Sequence, residues 1–160
     1  MKILLVDDDK NITNILAIAL NNQGYETSVF NDSIKAKESI AKIHYDLLIF
    51  DIMMPNMDGY TLCSHARQHT DSPIVFITCI DSDESLIKAL TLGGDDYITK
   101  PFNFEEVILR VKIHLKRVSR GKNFLKNDVY SHGRYTFYYG KNIVVDDDRK
   151  IHLSPLESDL

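Results

Sequence analysis

The stretch from Tyr45 to Gly59, YDLLIFDIMMPNMDG, constrains this chain more than any other. Leu47-Leu48-Ile49-Phe50 is a four-residue apolar run bounded by polar residues, too short for a helix. A parallel strand covered by helices has this character, because neither of its faces meets water. The run closes on Asp51. Pro55 then keeps a helix from starting at once, and Asp58-Gly59 marks the start of the next one. Asp51 thus stands at the carboxyl end of a buried strand, where open α/β sheets place their ligand crevices. Taken alone it is equally a turn residue, since Asp favours the turns that follow strands.

The pattern recurs along the chain. Ile3-Leu4-Leu5-Val6 is a second apolar run and ends in Asp7-Asp8-Asp9. Ile12, Ile15, Leu16 and Ala19 follow at helical spacing until Gly24. Glu26 to Phe30 predicts a strand, and Ala36, Ile40 and Ile43 the buried stripe of a second helix. A helix from about Tyr60 to Gln68 follows Asp51, then the strand Ile74–Ile77 closed by Thr78. A shorter helix over Glu84 to Leu92 leads to the strand Tyr97–Thr99, which ends in Lys100-Pro101. Val107, Ile108, Val111, Leu115 and Val118 give a long last helix. Strands and helices alternating through short loops predict an α/β domain over residues 1–118: a doubly wound, five-stranded parallel sheet with helices on both faces.

From Lys112 to Lys126 the composition shifts to six basic residues and no acidic one, and Ser119-Arg120-Gly121 breaks the helical pattern. A basic linker over residues 119–129 is the expectation. Tyr135 to Tyr139, Ile143 to Val145 and Ile151 to Leu153 then predict short strands, with Gly140-Lys141-Asn142 as a turn. Ser154-Pro155-Leu156-Glu157 carries the residues of a helix start, and the chain closes at Leu160, so residues 130–160 read as a truncated, β-rich second domain. A net charge of −4 makes any nucleic-acid contact a local one. Cys63 and Cys79 form no disulfide or zinc spacing. No apolar run nears membrane-spanning length and MKILLVDDD lacks a signal peptide's core, so a cytoplasmic protein with no membrane partner is expected.

In a parallel sheet the carboxyl ends of the strands share one edge, so Asp7, Asp8, Asp51, Thr78 and Lys100 surround one crevice. Three carboxylates held close repel one another unless a cation lies between them. All-oxygen ligands favour Mg²⁺. A carboxylate nucleophile beside Mg²⁺, a lysine to neutralise charge and a hydroxyl make a phosphoryl-accepting site.

These motifs resemble the response regulators of bacterial two-component systems: LLVDDD, DIMMPNMDG, IVFIT and GGDDYITKPF stand in register over residues 1–118. The resemblance implies a flavodoxin-like receiver fold with Asp51 as phosphoacceptor from a sensor histidine kinase. It implies a Mg²⁺ ligand set of Asp8, Asp51 and the Met53 carbonyl, with Asp7 acting through water. Thr78 and Lys100 would hold the phosphoryl oxygens, Thr78 and Tyr97 would form the switch, and the Lys100-Pro101 peptide would be cis. Cys79 stands where the family carries a small residue. The chain is then a phosphoryl acceptor with slow self-dephosphorylation rather than a turnover enzyme. Asp95, Asp96, Glu106, Arg110 and Arg117, with Lys88 in place of the basic residue that Leu86 displaces, resemble the dimer face of the OmpR/PhoB-type subfamily. HLSPLES resembles the first helix of that subfamily's winged-helix output domain, which implies transcription control through DNA bound by the full-length protein and not by this fragment.

Two readings stand beside it. An aspartate-nucleophile phosphatase of the dehalogenase type needs DxDxT after the first strand, where Asn11 occupies the fifth position. A receiver acting only by protein contacts is the other. His65 and His69 stand at metal-chelating i, i+4 spacing without an evident third ligand.

Overall fold

The computed structural model describes residues 1–121, 129–132, 135–138, 143–146 and 149–152, with side chains over residues 1–119. The first unit, Met1–Val118, contains β1 (Lys2–Val6), α1 (Lys10–Asn21), β2 (Glu26–Phe30), α2 (Ser33–Ile40) and β3 (Leu47–Phe50). It continues through α3 (Gly59–Ala66), β4 (Ile74–Thr78), α4 (Asp83–Thr91), β5 (Asp96–Thr99) and α5 (Phe104–Gly121), of which the residues up to Val118 belong to this unit. All pairings are parallel and the strand order is β2-β1-β3-β4-β5. The order reverses between β1 and β3, which is where such sheets bind ligands.

The apolar runs are explained by two cores. Leu4, Val6, Leu48, Phe50, Ile74 and Phe76 pack with Ala36 and Ile40 of α2, Leu62, Cys63 and Ala66 of α3 and Ala89 of α4. Their alternates Ile3, Leu5, Leu47, Ile49, Val75 and Ile77 pack with Leu16 and Leu20 of α1 and with Val107, Val111 and Leu115 of α5. Each strand therefore buries both faces, and period-two alternation of polarity disappears.

Helix boundaries follow local chemistry. Asp9, Asp32, Asp58 and Ser82 cap α1 to α4 with side-chain oxygens that accept from first-turn amides. Gly24, at φ 85°, lets the chain leave α1 for β2. Two expected stripes are corrected. Thr13, Leu16 and Leu20 are the core residues of α1, while Ile15 and Ile18 are 49% and 61% exposed. Thr13 fits the buried face because its hydroxyl bonds to the Asp9 and Lys10 carbonyls. Helix α2 ends at Ile40, which leaves Ile43 exposed rather than on its buried stripe. Helix α5 also continues to Gly121, past the break expected at Ser119.

The second unit, Ser119–Leu160, holds a four-stranded antiparallel sheet in the order β6 (Val129–His132), β7 (Tyr135–Tyr138), β8 (Ile143–Asp146) and β9 (Arg149–His152). The strand β6 was not anticipated, and β9 begins two residues earlier than Ile151. The linker residues 122–128, the turn at Gly140–Asn142 and the helix start at Ser154 lie outside the described residues. No helix among the described residues is long and apolar enough to cross a membrane.

Candidate functional site

Sheet register builds the site. Val6 pairs with Phe50, so the next residues, Asp7 and Asp51, emerge side by side at the switch point. Both are buried, at 6% and 5% exposure. Thr78 pairs with Thr99 on β5, which brings Lys100 to the same edge, and its peptide to Pro101 is cis. Lys100 Nζ lies 2.7 Å from Asp7 Oδ2 and 2.9 Å from Asp51 Oδ2. Asp8 is exposed, and one oxygen from each of Asp7, Asp8 and Asp51 lies within 4.8 Å of the others. Among the described residues these three form the sole such group of metal-ligating side chains. Asp9, the third acid of the run, caps α1 instead.

The electrostatics point one way. Burial raises the Asp7 carboxyl above its ordinary range, against the Lys100 bond, and the Asp51 charge adds to the rise. Burial would lower Lys100, yet its bonds to Asp7 and Asp51 carry it above the usual ammonium range. By formal charge the crevice holds three carboxylates against one ammonium and is short of positive charge. A hard divalent cation held by oxygens supplies it, and an exposed Asp8 leaves room for the waters that Mg²⁺ retains. The donor set fits.

The loop after β3 is shaped closely around Asp51. The Met53 amide donates to Asp51 Oδ1 at 3.2 Å, and the Met53 side chain is 61% exposed. Asn56 sits at φ 67°, a left-handed conformation that Asn tolerates. Gly59 is required by space, since a Cβ there would fall 2.1 Å from the Asp51 carbonyl oxygen.

Thr78 is fully buried and its Oγ1 accepts from the Ile80 amide at 3.4 Å. Tyr97 is half-buried: its hydroxyl donates to the Ile80 carbonyl at 2.6 Å and lies 3.0 Å from Ser85 Oγ. Ser85 Oγ also bonds the Tyr60 hydroxyl, which ties α3, α4 and β5 together.

Several of the charges expected on a dimer face have partners within the chain. Asp96, Glu106 and Arg110 do meet: Arg110 bonds Asp96 Oδ1 at 2.8 Å and Glu106 Oε1 at 2.8 and 2.9 Å. Asp95 turns away and pairs with Arg67 at 2.7 Å. Lys88 lies over the Tyr60 ring, 4.2 Å from its centroid, and Arg117 is exposed on α5. The His65 and His69 rings are 4.7 Å apart. Cys79 is exposed, whereas burial pushes the Cys63 thiol up to about 11.

Several residues around the site escaped the sequence reading. His114 is buried on α5 with Nε2 3.2 Å from Asp96 Oδ2; its place on the Val107–Val111–Leu115 face was a usable signal. Asn31, Ser33 and Arg67 had none, because their partners lie far along the chain.

Residues 3–112 match the family described as response regulator receiver domain. The chain is 37% identical to the transcriptional regulatory protein RprY of Bacteroides fragilis (strain YCH46), over all of this chain and 68% of that protein. It is 33% identical to the transcriptional regulatory protein KdpE of Staphylococcus aureus, over 99% of this chain and 68% of that protein. Among solved structures it is similar to the Francisella response regulator 1452 receiver domain, with a TM-score of 0.70 at 38% identity, over 72% of this chain and 97% of that one. The BeF3-activated N-terminal receiver domain of Klebsiella pneumoniae RstA gives 0.69 at 35% identity, over 72% and 99%.

Proposed function

We propose that this chain, which belongs to the response regulator receiver family, accepts a phosphoryl group on Asp51 from a sensor histidine kinase and thereby controls transcription. The observation that carries the reading is Lys100 Nζ shared between Asp7 and Asp51 at one sheet edge. The Asp51 carboxylate oxygen forms the new bond to phosphorus as the bond from phosphorus to the donor's imidazole nitrogen breaks. Lys100 turns from its carboxylates toward the phosphoryl oxygens, whose charge it offsets, and the Thr78 hydroxyl donates to them. Asp8, Asp51 and the Met53 carbonyl, with Asp7 through water, would hold Mg²⁺, which when bound would supply neutralising charge at this edge.

Movement of Thr78 biases the Tyr97 hydroxyl and its bonds to Ile80 and Ser85, which shifts α4 relative to β5. The face of Lys88, Asp95, Asp96, Glu106, Arg110 and Arg117 then pairs with a second copy, by exchange of the internal partners just described. Residues 1–118 act as the receiver and 119–129 as a basic linker. Residues 130–160 supply the first strands of a winged-helix domain of the OmpR/PhoB type, through which the full-length protein binds DNA. The similarity to transcriptional regulatory proteins supports that output. The protein works in the cytoplasm, as a phosphoryl acceptor that loses its phosphoryl group slowly.

Incubation with acetyl phosphate and Mg²⁺, followed by intact mass, tests the reading. One phosphoryl adduct on the parent and none on Asp51→Asn is expected. Continuous release of phosphate without a persistent adduct would instead identify a phosphatase.

A further inference from the structure

Asn31 is the first residue after β2, and its neighbour Phe30 pairs with Val6, so Asn31 stands beside Asp7 at the site's edge. Its Nδ2 donates to the Asp7 carbonyl at 2.7 Å and to Thr13 Oγ1 at 3.0 Å. The buried Thr13 hydroxyl lies 3.3 Å from the Asp9 carbonyl. The Asn31 amide therefore holds the Asp7 end of the Asp7-Asp8-Asp9 turn directly and reaches its Asp9 end through the Thr13 hydroxyl. The Asp7 carbonyl belongs to the peptide that leads into Asp8, so fixing that oxygen fixes the plane from which the Asp8 side chain departs. Asp8 needs this support, because Lys100 bonds Asp7 and Asp51 and not Asp8. The same β2–α2 connection braces the other loop of the site, where Ser33 Oγ donates to the Pro55 carbonyl at 3.2 Å.

We propose that Asn31 is a positioning residue for the divalent cation of the Asp7, Asp8 and Asp51 site, acting through the Asp7–Asp8 peptide. The inference rests on the proposed Mg²⁺-dependent phosphorylation of Asp51. Groups that orient metal ligands without touching the metal are worth about tenfold or more in affinity.

Calorimetric titration of Mg²⁺ alone into the unphosphorylated chain provides the test, with Asn31→Ala and Asn31→Ser as variants. The dissociation constant should rise about tenfold in both. Maximal acetyl-phosphate labelling at saturating Mg²⁺ should stay within about twofold, because Asn31 touches no reacting group. Thr13→Val, which spares the Asn31 bond to Asp7, should lower the thermal midpoint without Mg²⁺ yet weaken Mg²⁺ binding less than Asn31→Ala. An unchanged dissociation constant in folded Asn31 variants, or an equal loss in Thr13→Val, would overturn the inference while leaving Asp51 labelling of the parent in place. A parent that binds no Mg²⁺ and takes no label would overturn the functional reading itself.

Discussion

Arg67 Nη2 donates to Asp95 Oδ2 at 2.7 Å, joining the C-cap of α3 to the residue before β5. The same guanidinium bonds the carbonyls of Gly93, Thr70 and Ser72 at 2.8, 3.1 and 2.7 Å. Asp95 Oδ2 in turn accepts the Ile74 amide at 2.8 Å. This hub anchors the loop that leads from α4 into the strand of Tyr97. Arg67→Ala removes the guanidinium from three carbonyls and leaves Asp95 with the Ile74 amide, and should cost about 2–3 kcal/mol, read by urea unfolding. Lysine at the position should not restore it, since a point charge cannot bond four acceptors in a fork.

Lys100→Ala should abolish most acetyl-phosphate labelling of Asp51, by about a hundredfold or more, as loss of a preorganised charge does at such sites. Mg²⁺ binding should persist, because the three carboxylates remain. The thermal midpoint should fall in the absence of Mg²⁺ and recover with it, since the cation replaces the missing ammonium. Loss of labelling together with loss of Mg²⁺ binding would assign Lys100 a role in shaping the site instead.

Asp96 carries the acid dependence. Burial would raise its carboxyl, but the bonds from His114 and Arg110 prevail and hold it below the ordinary 3.8. A carboxyl depressed in the fold stabilises it above the unfolded value and loses that contribution as pH falls through the folded one. Asp96→Asn should therefore lower stability at neutral pH by about 2 kcal/mol. The gap to the parent should close as pH drops below 3.8, as chemical unfolding at a series of pH values would show. A gap independent of pH would mean that packing, not charge, is lost.

Met53 and Ile80 stand two residues after Asp51 and Thr78; on the proposed phosphorylation of Asp51 their side chains would flank the approach of water to the phosphorus. Neither side chain can orient a water, so the adduct should decay slowly. Replacing Met53 with Asn and Ile80 with Glu together should shorten its lifetime about tenfold, roughly 1.4 kcal/mol in barrier. Decay followed by mass after removal of the donor checks this, and equal rates would show that these positions do not gate the water.

What the sequence determined by itself is the local part of the design. Apolar runs of strand length at Ile3, Leu47 and Ile74 demand cover on both faces. Alternation with helices then makes the sheet parallel and brings Asp7, Asp51 and Lys100 to one edge. Asp9 and Asp58 announce helix starts because capping is a matter of two or three residues. Periodicity was less exact about faces: Ile15 and Ile43 satisfy the spacing yet meet solvent, because Thr13 satisfies its own hydroxyl and α2 stops at Ile40. Tertiary structure alone decided the pairings of polar groups. Asp95 had Arg110 and Arg117 nearby in sequence but found Arg67; Asp96 took Arg110 and, beyond it, His114; Asn31 reached Asp7. A charge pairs with whatever the register and loop paths bring within about 3 Å, and that separation in space carries no mark in the separation along the chain.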